Sequence, residues 1–265
     1  MSITGSILSV AAPLPKIEEF QRFLFIGPHP DDIEIGAGAT AARLAAAGKD
    51  VVFLICTDGR FGTDQMETPA APEDLILTRR AEALLSAERL GVKDVRFLAL
   101  CDGGFYAQED LVCGIARVMS DFRPQIIFAP DPDVRSECHI DHLNVGRAAK
   151  QLAVFSGNPG IMARFGAQLC PVDALALYMT AAPNRLVKTD GCLPQQLEAL
   201  FTAHLSQFPE GGKAAGSIRL YLKLRAYEFG LRRLCRSAEG FRVLGPTQMH
   251  CLPEADPCRA RGVFL

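Results

Sequence analysis

His29, Asp31 and Asp32 stand in a tight turn, HPDDIEIGAGA from His29 to Ala39, between the apolar run Phe23 to Ile26 and a Gly/Ala-rich helical segment. In an open α/β fold, the turn leaving a strand's C-terminal end faces the crevice where ligands bind. His29 and Asp32, three residues apart, could reach one ion through a nitrogen and an oxygen, a donor mixture that suits Zn²⁺ or another borderline divalent metal. Pro30 stiffens the turn and adjacent side chains diverge, so Asp31 is expected beside such an ion rather than on it. Taken alone, the acidic pair is equally well read as the cap and first-turn acids of the next helix, which the helix dipole favours.

A second constellation decides between these readings. His139-Ile140-Asp141-His142 follows the apolar run Gln125 to Ala129 and a Pro/Asp loop, and precedes a helical pattern of Val145, Ala149, Leu152 and Ala153. Three of the five histidines fall in these two places. A third protein ligand from here would complete the three-ligand set typical of a catalytic zinc and leave a position for water. The glycines of IGAGAT invite a dinucleotide reading. Against it, they follow a long acidic turn rather than the strand itself, the third glycine is missing, and two carboxylates would repel phosphate.

In these residues the chain resembles the LmbE-like or PIG-L family of zinc-dependent deacetylases acting on N-acetylglucosamine conjugates. The resemblance is carried by HPDD with GAGAT after it, by HIDH near mid-chain, by Thr57-Asp58-Gly59, and by RRAEA with LGV closing its helix. It runs from about Phe23 to Leu244. Two departures are Ile140, where the family usually has proline, and Ile33, where many members have glutamate; neither removes a ligand. The resemblance implies one Zn²⁺ per chain, or another divalent metal, held by His29, Asp32 and His142, with Asp31 as general base. A protonated His139, oriented and kept charged by Asp141, would share the negative charge developing on the carbonyl oxygen. Arg79, Asp102 in its Asp-Gly-Gly turn, and His204 in ALFTAHLSQF are implied near the substrate, and Glu239 could assist. The implied reaction is hydrolysis of an N-acetyl group from a small-molecule amino sugar, and the implied assembly is a trimer or hexamer. The competing readings are metal-dependent phosphoester hydrolysis, for which only Arg60, Arg79 and Arg135 are near, and a non-catalytic Rossmann-like binding module.

The elements that must position these groups read as one α/β domain over residues 1–265, with an N-terminal arm over 1–22 and a less regular part over 156–265. Strands are expected at Phe23 to Ile26, Val51 to Cys56, Val95 to Leu98, Gln125 to Ala129 and Ala174 to Tyr178. Helices are expected at Ala37 to Ala47, Glu73 to Leu90, Leu111 to Phe122, Pro194 to Phe208 and Arg219 to Cys235, with a short one at Lys16 to Arg22. In the second of these, Leu77, Ala81, Leu84 and Leu85 form the apolar stripe, which leaves Arg79 and Glu82 on the solvated side. His204 falls on the apolar side of its helix, where a core histidine is the alternative. Alternation of strands and helices implies a mostly parallel, three-layer α/β/α sheet of Rossmann-like type, with both motifs on one edge. Arg60 to Asp74 reads as an active-site loop, and specificity is expected from the loops after residues 59, 104, 131 and 180.

Composition narrows the class further. The net charge is −2 and no basic run tracks phosphates, so a nucleic-acid partner is not expected. Apolar runs stay well short of the ~18 residues that span a bilayer, and no secretory leader pattern is visible at the N-terminus. The nine cysteines are scattered without a CxxC pair, which fits a reducing cytoplasm, and Cys138 beside His139 reads as a bystander.

Overall fold

Successive side chains point to opposite faces of a pleated strand, so a run apolar at every position needs cover on both sides. The computed structural model describes residues 7, 10–63 and 70–250. After a 3-10 turn at Ile17–Glu19, the chain forms β1 (Arg22–Gly27), α1 (Asp32–Ala46), β2 (Asp50–Thr57), α2 (Pro72–Arg89), β3 (Asp94–Leu100), α3 (Gln108–Phe122) and β4 (Ile126–Pro130). It continues with α4 (Ile140–Phe155), α5 (Pro159–Arg164), β5 (Ala174–Tyr178), β6 (Arg185–Lys188), α6 (Leu193–Ala203), α7 (Lys213–Arg233) and β7 (Ala238–Leu244).

The strands form one sheet in the order β3-β2-β1-β4-β5-β7-β6. The first five are parallel, as helical crossovers require, and β7 runs antiparallel to both β5 and β6. Phe23, Phe25, Phe53 and Phe128 pack on one face against α1 and α6, with the rings of Phe25 and Phe128 stacked at 4.2 Å. Leu24, Ile26, Leu54 and Ile127 pack on the other face against Leu111, Ile115 and Met119 of α3 and Val145 and Leu152 of α4. The three-layer, mostly parallel architecture expected from the sequence is therefore what forms.

Three local expectations are corrected. Helix α1 begins at Asp32 rather than Ala37, because the Asp32 side chain folds back to accept the His29 amide at 2.8 Å and closes the first turn. Helix α6 ends at Ala203 rather than Phe208. On α2 the expected stripe is turned outward: Leu77 is 68% exposed, whereas Arg79 and Glu82 are buried with Leu75, Ala83 and Ala87. The inner face of α2 lies against loops whose polar groups need partners, and buried carboxylates and carbonyls demand donors more strongly than leucines demand burial. The loop expected over Arg60 to Asp74 falls partly on residues 64–69, which lie outside the described ones.

Close packing explains the glycines of IGAGAT without a nucleotide. Both Gly36 and Gly38 lie inside α1 rather than in a phosphate-receiving turn. A Cβ on Gly36 would fall 2.2 Å from the ring of the fully buried Tyr178, whose hydroxyl donates to the Ile26 carbonyl at 2.9 Å. A Cβ on Gly38 would meet Gln196 at 2.9 Å. Gly36→Ala is therefore expected to destabilise the fold by about 1–3 kcal/mol through overpacking, measured by denaturant unfolding; an unchanged midpoint would show that Tyr178 yields freely.

Candidate metal and active site

The winding direction of the parallel sheet reverses between β1 and β4, so the loops leaving these neighbours diverge and open a crevice at their C-terminal ends. The loop after β1 brings His29, Asp31 and Asp32 to it, and the loop after β4 brings Glu137, His139, Asp141 and His142. The ring centroids lie 4.6 Å apart for His29 and His139, 5.0 Å for His139 and His142, and 5.4 Å for His29 and His142. One nitrogen from each of the three rings falls within 4.8 Å of the other two, a grouping that could hold a metal ion.

Two of these imidazoles are each flanked by carboxylates on both ring nitrogens. His29 has Nδ1 3.1 Å from Asp32 Oδ2 and Nε2 3.1 Å from Asp141 Oδ2. His142 has Nε2 3.4 Å from Asp32 Oδ1 and Nδ1 2.9 Å from Glu137 Oε2. A neutral imidazole carries one N–H and can satisfy only one such acceptor. Donation outward, from His29 to Asp141 and from His142 to Glu137, leaves both inner nitrogens with lone pairs directed at Asp32, an arrangement that needs a cation among them. Without a metal, protons serve: burial alone would lower both imidazoles, but Asp141 and Asp32 push His29 up to about 10, and Asp32 pushes His142 up to about 9. Burial would raise Asp32, and the two imidazoles instead hold it well below the usual carboxylate range. Outer carboxylates on metal-ligating histidines are the common means of fixing ring orientation, so the donor chemistry of the site fits a divalent metal.

Asp31 stands beside this cluster in an unusual backbone conformation, φ 131° and ψ −24°. Such strain costs on the order of 1–3 kcal/mol and persists where the surroundings enforce it. Here Arg79 enforces it. Its guanidinium donates to the Pro30 carbonyl at 2.9 Å, to the Gly59 carbonyl at 3.1 Å and to Asp31 Oδ2 at 3.3 Å. The side chain approaches the loop after β2 so closely that a Cβ on Gly59, which already has φ +69°, would meet Arg79 at 2.6 Å. Burial raises the Asp31 carboxyl to about 6, with Arg79 restraining the rise. Arg79 is thus a buried partner of Asp31, not half of a solvated pair with Glu82. Glu82 accepts from the amide and hydroxyl of Ser206 at 2.7 and 2.6 Å.

The expected partnership of His139 and Asp141 is a long contact, and Asp141 has closer partners. Asp141 is fully buried and commits its oxygens to His29 and to the amides of Gly103 and Gly104, at 2.7 and 2.9 Å, leaving His139 Nδ1 at 3.8 Å. His139 instead caps α4, its Nδ1 accepting the Asp141 amide at 3.3 Å, which assigns the proton to Nε2. Burial and the neighbouring His29 and His142 hold it below the usual histidine range, with Asp141 pulling the other way. Its side chain is 49% exposed, at the mouth of the site.

Asp102 lies at the β3 end of the crevice, where Oδ2 accepts the Phe61 amide at 3.2 Å and Oδ1 is buried without a partner among the described residues. His204 is fully buried, with Nε2 3.3 Å from Glu34, as the core alternative expects. The surrounding segment is a brace, since Gln207 donates to the Gly62 carbonyl at 2.7 Å. Glu239 accepts from the amides of Ala39 and Thr40 and from Gln196, clamping α1 to β7. Glu137 was not anticipated from the sequence; its signal there is a lone carboxylate five residues before His142. Among the described residues the cysteines are free, and Cys138 donates only to the Ser136 carbonyl.

Residues 24–153 match the family described as PIG-L: GlcNAc-PI de-N-acetylase. Over 240 residues the chain is 34% identical to the diacetylchitobiose deacetylase of Thermococcus kodakarensis, covering 89% of this chain and 88% of that one. It is 30% identical over 208 residues to the 1D-myo-inositol 2-acetamido-2-deoxy-alpha-D-glucopyranoside deacetylase of Kineococcus radiotolerans, covering 67% of this chain and 56% of that longer protein. Among solved structures, N,N'-diacetylchitobiose deacetylase from Pyrococcus horikoshii superposes with a TM-score of 0.85 at 27% identity, over 96% of this chain and 97% of that one.

Metal entry at the inner nitrogens must displace the protons on His29 and His142, so apparent affinity should fall as the pH is lowered. Calorimetric titration of the metal-free protein with Zn²⁺ near neutral pH, in buffers of different ionisation enthalpy, should show release of about two protons per ion. No buffer dependence would exclude this arrangement. Glu137→Gln should weaken metal affinity roughly 10- to 100-fold, as loss of an outer carboxylate does elsewhere, and unchanged affinity would remove Glu137 from the metal's surroundings.

Proposed function

The chain belongs to the PIG-L family, and from that membership we propose that it is a zinc-dependent N-deacetylase that hydrolyses the acetamido group of an N-acetylglucosamine-containing small molecule, releasing acetate and an amine. The observation that supports this reading best is the pair of imidazoles, each bonded outward to a carboxylate and converging inward on Asp32. We assign the ion to His29 Nδ1, His142 Nε2 and Asp32 in preference to the three-histidine grouping. His139 has its Nδ1 engaged by the Asp141 amide and its proton on Nε2, so it offers no lone pair. Two imidazoles and a carboxylate suit Zn²⁺. Bound there, the ion supplies Lewis acidity, making water a nucleophile near neutral pH and polarising the amide carbonyl.

The protein's own groups carry the protons. Asp31, with its carboxyl near 6, is ionised at neutral pH and accepts a proton from the attacking water. Arg79 keeps that carboxylate in place through its three bonds. As the amide C–N bond breaks, Asp31 returns the proton to the departing amine, which leaves neutral. The Nε2–H of His139 donates to the carbonyl oxygen as negative charge gathers there, a contribution that depends on position rather than on a charged ring. A phosphoester reading has less support, because Arg60 is tied to Asp58 at 2.6 Å and Arg79 to Asp31.

The relatives are named for substrates that share N-acetylglucosamine and differ in what it is joined to, so we extend to this chain only the amino-sugar unit. No helix among the described residues is long and apolar enough to cross a membrane. A cytoplasmic location is proposed from the scattered cysteines without CxxC pairs, and a trimer or hexamer from the family resemblance, with the leucines that α2 leaves on the surface as an apolar face for contact. A single domain over 1–265 is proposed from the continuous sheet.

Acetate release from N-acetylglucosamine, N,N'-diacetylchitobiose and N-acetylglucosaminyl-inositol tests the proposal. Turnover of at least one should be abolished by a chelator and restored by Zn²⁺. Asp31→Asn should retain the metal and lose roughly 10²- to 10⁴-fold in kcat. A flat substrate panel with stoichiometric metal would refute the activity, and full turnover by Asp31→Asn would remove Asp31 from the mechanism.

A further inference from the structure

Helix α7 carries apolar side chains on two opposite faces, and the fold of one chain uses only one of them. Leu222, Ala226 and Phe229 are buried against α6 and β7. Leu220, Leu224, Tyr227, Leu231 and Leu234 point away from the protein, Leu231 being 77% and Leu234 88% exposed. Their spacings of four, three, four and three residues make a heptad seam, with Leu224 and Leu231 at a and Leu220, Tyr227 and Leu234 at d. The three inward residues then fall at c and f, on the far side of the helix from the seam.

At 1.5 Å per residue the seam runs for about 21 Å, and contiguous apolar surface of this kind marks a place of contact. Leu234 closes the helix in the left-handed conformation, φ 57°, a position usually given to glycine. The side chain it carries there is left in solvent by its own chain. The seam is also narrow, bordered at g by Lys223 and at e by Glu228, both exposed. A seam of a and d positions between charged borders suits a second helix of the same kind rather than a broad apolar groove.

The border charges choose the partner and its direction. In a parallel pair, a g residue meets the e residue five positions further along the other helix. Lys223 and Glu228 are five apart, so a two-fold axis makes the pair twice, Lys223 with Glu228 of the partner subunit and the reverse. Antiparallel helices would bring Lys223 near Gly230 of the partner subunit and Glu228 near the partner's Tyr221, which gives neither ion pair. Within one chain Arg232 approaches Glu228 at 3.9 Å, a long surface contact that leaves the carboxylate able to take a second cation. Two heptads are too few to order free peptides, but α7 is already folded on the protein, so pairing costs little further ordering.

We propose that α7 docks a second copy of this chain, seam to seam and parallel, about a two-fold axis along the helix. The inference is independent of the deacetylase reading. It requires an even number of chains: a dimer if α7 is the one contact, or a hexamer if the leucines of α2 also join chains in threes.

Light scattering on the full chain across a wide range of protein concentration reads the mass of the assembly. Lys223→Glu and Glu228→Lys each set like charges at both borders and should halve the wild-type mass. An equimolar mixture of the two restores opposite charges twice and should recover it. Leu224→Glu should halve the mass without rescue, and circular dichroism should show unchanged helix content in all three variants, whose positions are exposed. Wild-type mass retained by Leu224→Glu, or an odd number of chains in the wild type, a single one included, would overturn the pairing. Halved masses that the mixture does not restore would overturn the contact between Lys223 and Glu228. A single-chain wild type that sediments with phosphatidylserine vesicles, and fails to do so as Leu224→Glu, would assign the seam to a membrane surface instead. Direction is read from Leu220→Cys, because parallel pairing sets the two copies of that position side by side. Oxidation should give a covalent dimer beyond any formed by the wild type, and absence of that cross-link would overturn the parallel arrangement.

Discussion

The Asp32 carboxylate lies between two imidazoles that have no other way to balance their inner faces, and the site is built around that contact. Its oxygens lie 3.1 Å from His29 and 3.4 Å from His142, in a place where water is largely excluded. Burying several carboxylates together is expensive, and with Arg79 as the fixed cation beside them the cluster calls for further positive charge. Three loops are held to meet this demand. The loop after β1 supplies His29 and Asp32, the loop after β4 supplies His142 and Glu137, and the loop after β3 reaches in through the Gly103 and Gly104 amides to hold Asp141. Adjacency of β1 and β4 in a parallel sheet is the simplest topology that brings the first two together.

Much of this was legible in the chain. Strands buried on both faces read as unbroken apolar runs, and a parallel sheet leaves few other ways to arrange them. Histidines and acids concentrated just after two such runs had to share one edge. What the sequence hid were partnerships between loops far apart in the chain. Asp141 sits two residues from His139, and proximity suggested a pair; the structure spends it on His29, 112 residues away. Glu137 looked like one more surface acid. On α2, hydrophobic periodicity pointed to Leu77, Leu84 and Leu85, whereas the inward face was chosen by the hydrogen-bonding needs of Asp31, Gly59 and Ser206. Periodicity records apolar matter and is silent about a carboxylate waiting on the other side of the helix.

The same lesson applies to α1. Its glycines have the look of a phosphate loop, yet they permit close contact with Tyr178 and Gln196, and Glu239 grips the helix backbone from β7. The helix that begins with a metal-binding candidate is therefore fixed along its length by residues contributed from the last third of the chain. His204, buried against Glu34, belongs to that support.

Arg79 has a mechanical consequence. By gripping the Pro30 and Gly59 carbonyls together with Asp31, it fuses the peptide segments that follow two neighbouring strands into one stiff unit. Pressure from a ligand against the second segment would be felt by the proton acceptor in the first without any change in the sheet. The guanidinium thus acts as a crossbar, and the register between ligand entry and proton transfer depends on its length as much as on its charge.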